Sequence, residues 1–164
     1  MTIFDEMVAE LGPQTSIDKT NAQHEVMQQI ALSGLHRGGF FEHAAFYGGT
    51  CLRIFHGLRR FSEDMDFTLT EKNLNVHLED FFPDIIEAFK LTGREVEIKK
   101  KEKKSFGKVE SAFLKDNTDA YDIAFQREKN LKVKIELDTG PPLDFETEQK
   151  LLLKPFSYRR FGKL

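Results

Sequence analysis

The chain has no tryptophan and one cysteine among its 164 residues. A single cysteine excludes an internal disulfide, and Cys51 by itself makes no zinc-type cluster. It follows Thr50 in an apolar helical run and is expected to pack in the core. No stretch is long and apolar enough to span a membrane. The opening Met1-Thr2-Ile3-Phe4-Asp5-Glu6 has no basic region followed by an apolar one, so no secretory signal is visible. The expected compartment is the cytoplasm, with no membrane partner. Positive charge is not in excess either: the net charge of −3 exerts no global pull toward nucleic acid, so any such contact has to use a local patch. Repeats, low-complexity segments and linkers are absent, and a single domain over 1–164 is expected. Phenylalanine is abundant, with 16 residues, which predicts a Phe-rich core.

Two helices open the chain. Phe4, Met7, Val8 and Leu11 repeat with helical spacing until Gly12-Pro13. Asp18 is the expected cap of a second helix running through Val26, Ile30, Leu32 and Leu35 to Gly38-Gly39. Ala44 to Tyr47 reads as a buried strand. Gly48-Gly49 turns the chain into a short helix bearing Leu52, Ile54 and Phe55 and ending at Gly57. Met65, Phe67 and Leu69 alternate with Asp64, Asp66 and Thr68, the pattern of a strand with one apolar face. A helix with Phe81, Phe82, Ile85, Ile86, Phe89 and Leu91 facing inward follows, stopped by Gly93. The segments 95–104, 108–115, 121–125 and 131–138 read as strands. Gly140-Pro141-Pro142 breaks the last of these, and 145–161 supplies further extended pieces. The order gives an α+β fold, a mixed sheet flanked by helices.

Tyr47-Gly48-Gly49-Thr50 and Asp64-Met65-Asp66-Phe67 carry the chemistry. Glycines let the backbone approach a phosphate closely, and a helix N-terminus adds a favourable dipole. Gly48, Gly49 and Thr50 fit a nucleotide-binding role. Residues i and i+2 of a strand point the same way, so Asp64 and Asp66 can present carboxylates to the same Mg²⁺. Singly, a Gly-Gly-Thr turn is a common capped turn and Asp-x-Asp a common exposed strand face. Together at this spacing they point to an enzyme handling an NTP. An Asp-x-Asp site of a nucleotide-sugar glycosyltransferase is the competing reading, and the upstream Gly-Gly-Thr argues against it.

Gly48-Gly49-Thr50-x-Leu52-Arg53, then Gly57, then Arg60-x-Ser62-x-Asp64-x-Asp66-Phe67 resembles the signature of the AbiEii/AbiGii toxin family of nucleotidyltransferases, within the DNA polymerase beta-like superfamily. The resemblance is dense over 46–69. It continues more weakly to about Pro155, through Leu114-Lys115, Ile135-Glu136-Leu137-Asp138 and Pro141-Pro142.

The resemblance implies that Asp64 and Asp66 hold Mg²⁺, that Gly49 and Thr50 bind the β- and γ-phosphates, and that an acceptor hydroxyl attacks the α-phosphate. It further implies a third catalytic carboxylate from a neighbouring strand, for which Glu136 and Asp138 are the candidates. The other reading of Lys134, Glu136 and Asp138 is a solvated strand face. Arg60 reads as a salt-bridge partner of Asp64 or as a phosphate contact, and Ser62 as a phosphate ligand or a loop hydrogen bond. Arg53 reads as structural. RNA, tRNA ends in particular, is the implied acceptor, and an antitoxin protein the implied partner in a bacterial toxin–antitoxin or phage-defence pair. Family members continue into a helical region with a functional lysine, which 139–164 does not match. The expectation is therefore a fold lacking the C-terminal helical region, truncated or natively short. A catalytically incomplete remnant that binds nucleotide or an antitoxin is the alternative function.

The run Lys99, Lys100, Lys101, Lys103, Lys104 and Lys108 reads as a solvated hairpin edge whose lysines block edge-to-edge pairing, ahead of an RNA contact. The five histidines show no metal-ligand spacing, and His56 reads as a packing or capping residue.

Overall fold

The computed structural model describes residues 1–57, 63–71, 75–101 and 118–140. Helix α1 (Ile3–Glu10) starts from Thr2, whose hydroxyl accepts from the Asp5 N–H while the Asp5 carboxylate accepts from the Thr2 N–H. Helix α2 (Ser16–Arg37) starts from Thr15, not from Asp18. The Thr15 side chain accepts from the Asp18 N–H, so Asp18 sits in the first turn and complements the helix dipole instead of capping it. Strand β1 (Ala44–Tyr47) and helix α3 (Gly48–His56) follow, with the helix ending at Gly57. Then come β2 (Asp64–Leu69), α4 (Phe82–Leu91), β3 (Val96–Lys100), β4 (Thr118–Phe125) and β5 (Lys132–Asp138).

The strands form one mixed sheet in the order β1-β2-β5-β4-β3. Only β2 and β5 are parallel; the other neighbours are antiparallel. Strand β4 begins three residues before the expected Tyr121, and its partner β5 runs along it over the full extra length. Among the described strands β3 lies at the sheet edge, with Lys99 and Lys100 exposed on it. Lys103, Lys104, Lys108 and the expected strands over 108–115 and 145–161 lie outside the described residues, as do Pro141 and Pro142.

One face of the sheet is apolar and is covered by helices. Phe67 on β2 stacks on Phe46 at 5.0 Å and meets Phe40 edge-on at 5.2 Å. Phe125 on β4 meets Phe4 of α1 edge-on at 5.0 Å. Phenylalanines are the bulkiest fully buried side chains of this core, which they share with leucine, isoleucine, valine and methionine. Helices α2 and α4 approach so closely at Gly34 that a Cβ there would lie 2.8 Å from the Asp84 carbonyl oxygen. Helix α4 buries Ile85, Ala88 and Phe89, but Ile86 and Leu91 face outward at 37% and 41% exposure. A ten-residue helix buries one stripe of about 100°, and the stripe centred on Ile85 and Phe89 leaves Ile86 on its flank and Leu91 on the far side. Cys51 is half-buried, outside the core. His56 is exposed in the last turn of α3.

Candidate active site

The antiparallel register sets Tyr47, the last residue of β1, opposite Asp66. The turn from β1 into α3 is thereby brought against the aspartate-bearing start of β2. Gly48 makes that turn with φ of +84°, a conformation L side chains rarely adopt. A Cβ at Gly48 would also lie 2.9 Å from Asp66 Oδ2, so only glycine leaves this carboxylate its place. Among the described residues, no side chain caps the first turn of helix α3. The first N–H groups of such a helix have no intrahelical acceptor and attract an anion. The Thr50 side chain is buried and its hydroxyl donates to the Asp64 carbonyl oxygen. That hydroxyl pins α3 to β2, and the part of Thr50 suited to phosphate is its backbone N–H.

Parallel pairing with β5 completes the polar face of the sheet. Asp64 stands opposite Lys134, Asp66 opposite Glu136, and Thr68 opposite Asp138. The side chains of Lys134, Glu136 and Asp138 share this face and are half-buried, while Val133, Ile135 and Leu137 are buried on the other. Burial raises the Asp66 carboxyl to a pKa of about 6, helped by the nearby charges of Glu136 and Asp64 and a hydrogen bond with Glu136. Lys134 opposes the shift. Its Nζ lies 3.9 Å from Asp64 Oδ2 and 3.7 Å from Glu136 Oε2. Burial, followed by the Asp66, Asp138 and Glu136 charges, also raises the Tyr47 phenol. Asp138 sits one step further along, with Oδ1 accepting from the Gly140 N–H at 2.9 Å.

The donor set is all oxygen, as Mg²⁺ prefers. Among the described residues, no group of three or more His, Cys, Asp or Glu side chains is placed to hold a metal ion together. Mg²⁺ does not require one: it keeps waters and commonly takes one or two carboxylates, with substrate phosphates supplying the rest. Repulsion between half-buried carboxylates, visible in the raised Asp66, is what a divalent cation relieves. The residues therefore fit a Mg²⁺ bound by Asp64 and Asp66 with a nucleotide beside it.

Asp64, Asp66, Gly48, Gly49, Thr50 and Glu136 are brought together; Arg60 and Ser62 lie outside the described residues. Arg53 pairs with Glu25 at 3.2 Å, a structural contact between α3 and α2. Sequence reasoning passed over Gln28. It is fully buried on α2, and its Nε2 donates to the Glu63 carbonyl at 3.2 Å, fixing the residue before Asp64. The available signal was a pair of glutamines between the core residues Met27 and Ile30. Lys134 and Tyr47 were also missed as site residues, although both share strand parity with residues singled out.

No described helix is long and apolar enough to cross a membrane. No curated protein matches the chain. Among solved structures, MenT4, a nucleotidyltransferase toxin of Mycobacterium tuberculosis H37Rv, superposes with a TM-score of 0.58 at 18% identity. The match covers 99% of this chain and 51% of that one, so this chain spans about half the length of MenT4, and the likeness is one of fold. A protein from H. pylori described as a nucleotidyltransferase gives a TM-score of 0.46 at 21% identity, over 73% of this chain and 46% of its own. The family model for the nucleotidyl transferase AbiEii toxin of type IV toxin–antitoxin systems matches residues 30–157, most of the chain and all of the strands and carboxylates above. The chain belongs to the AbiEii nucleotidyltransferase toxin family.

Proposed function

We propose that this chain is a Mg²⁺-dependent nucleotidyltransferase that moves NMP from an NTP to an acceptor hydroxyl. The acceptor we favour is RNA, in particular a tRNA end. The setting is the cytoplasm of a bacterium, where an antitoxin protein is the partner. One observation carries the reading: the start of α3, which no described side chain caps, lies against Asp66, on the face that Asp64, Asp66 and Glu136 share.

The backbone N–H groups of Gly49 and Thr50 bind the β- and γ-phosphates. Asp64 and Asp66 would hold the metal. Mg²⁺, when bound, neutralises triphosphate charge and polarises the α-phosphate. The acceptor oxygen forms a bond to the α-phosphorus as the bond from that phosphorus to the bridging oxygen breaks, and pyrophosphate leaves. We assign Glu136, the register partner of Asp66, to orient the acceptor and take its proton. Asp138 is the weaker candidate for that role, because one of its oxygens is engaged with Gly140.

Calorimetric titration with each NTP, with and without Mg²⁺, tests the reading alongside the D64N/D66N double variant. Mg²⁺-dependent binding that disappears in the variant is the expected result. Labelled NTP and total RNA then identify the acceptor. Equal binding by variant and parent would sink the assignment. No binding by the parent would leave antitoxin binding as the function of this chain.

A further inference from the structure

Lys134 lies within the carboxylate cluster, on the central strand of the sheet. Its backbone is fixed from both sides, by Asp64 on β2 and by Asp122 on β4. Its side chain is not fixed in the same way. The two ion-pair distances, 3.9 and 3.7 Å, exceed hydrogen-bond length, so among the described residues the ammonium is held by charge and not by a directed bond. A lysine head on a four-carbon stem is a compact, mobile charge. With 25% of its side chain exposed, it has room to move outward.

The position is informative. A divalent cation bound between Asp64 and Asp66 would arrive within a few ångströms of this ammonium, and the two repel. A triphosphate at the start of α3 would bring negative charge to the same face and attract it. The same lysine therefore opposes the bare metal and favours the metal with its nucleotide.

We propose that Lys134 is the resting counter-ion of the site: it neutralises Asp64 and Glu136 in the empty chain, yields to the divalent cation, and then pairs with the phosphates of the incoming nucleotide. This rests on the nucleotidyltransferase reading above. It makes Lys134 a selector that disfavours metal without nucleotide. A purely structural lysine would weaken both ligands when removed, or neither.

The test uses K134M, which keeps the stem and removes the charge, with K134R as the charge-preserving control. Mn²⁺ alone is titrated by calorimetry and by the loss of its free paramagnetic signal, and then Mg²⁺·ATP is titrated. Mn²⁺ affinity in K134M should rise about tenfold, a factor set by removing one unit charge a few ångströms away in a half-exposed site. Mg²⁺·ATP affinity should fall about tenfold in the same variant, and K134R should restore it to within a few-fold. Unchanged or weaker Mn²⁺ binding by K134M would overturn the counter-ion role. If K134M does not fold, K134Q is titrated in its place, with the same two shifts expected. The D64N/D66N variant separates the two failures. If it binds Mn²⁺ as the parent does, the active-site reading is wrong and the Lys134 role falls with it. If it loses Mn²⁺ while K134M binds as the parent does, only the Lys134 role is wrong.

Discussion

The two faces of β2 and β5 are made by alternate residues of the same strands, and they follow opposite rules. Met65, Phe67, Leu69, Val133, Ile135 and Leu137 are all at most 1% exposed and pack under the helices. Asp64, Asp66, Lys134, Glu136 and Asp138 lie one residue away on the other side. The odd-numbered positions hold the sheet in place. The even-numbered positions crowd four carboxylates around one lysine, and the raised Asp66 shows a repulsion that Lys134 offsets only in part. Because side chains alternate with a period of two, the protein can set stability on one face and chemistry on the other with little interference.

The largest expected effect that would test this separation is at Phe67. Phe67→Ala removes a fully buried ring packed against Phe40 and Phe46 and should cost ~3–5 kcal/mol in denaturant unfolding. At temperatures where the variant remains folded, metal binding should persist. Loss of metal binding without loss of stability would show that the faces are not separable. Gly48→Ala should act on both faces at once. The left-handed backbone costs an alanine roughly 1–2 kcal/mol, read as a lower unfolding midpoint. Its Cβ also displaces Asp66, so Mg²⁺-dependent nucleotide binding should weaken further than the stability loss explains.

The smallest effect is at Asp66 and depends on pH. Its pKa in the folded chain, about 6, lies above the ordinary 3.8. Between those values the folded state binds more protons than the unfolded one, so this residue makes stability fall as pH rises through that window. Asp66→Asn should therefore raise the melting midpoint of the metal-free chain above pH 6, by roughly 2–4 °C if the relief is near 1 kcal/mol. The gain should vanish below the ordinary carboxyl range. A midpoint gain independent of pH would show that charge is not its cause.

Much of this was legible in the sequence because it is local. The alternation of Met65, Phe67 and Leu69 with Asp64 and Asp66 specifies a half-buried strand wherever it pairs. Gly48-Gly49 at the end of an apolar strand specifies the turn. What the sequence could not decide was which carboxylate of β5 stands beside Asp66. Sliding β5 by two residues along β2 keeps every side chain on its own face, so alternation is blind to that shift. Only the register, set by contacts between distant parts of the chain, puts Glu136 and not Asp138 opposite Asp66. Gln28 was hidden for a related reason. A buried glutamine on an apolar helix face makes sense only once the Glu63 carbonyl it reaches is known.

The parallel pairing of β2 with β5 also bears on when the carboxylate-bearing face is assembled. Strands β4 and β5 are joined by a short turn and can zip together locally, whereas β2 and β5 meet only after most of the described chain has been made. Closing so long a loop is slow compared with forming a hairpin. A nascent chain emerging from the ribosome carries Asp64 and Asp66 well before Glu136. Its carboxylates stay apart until the hairpin docks against β2, so this face is assembled by a long-range step of folding. Any factor that delays this docking would delay the meeting of Asp64 and Asp66 with Glu136.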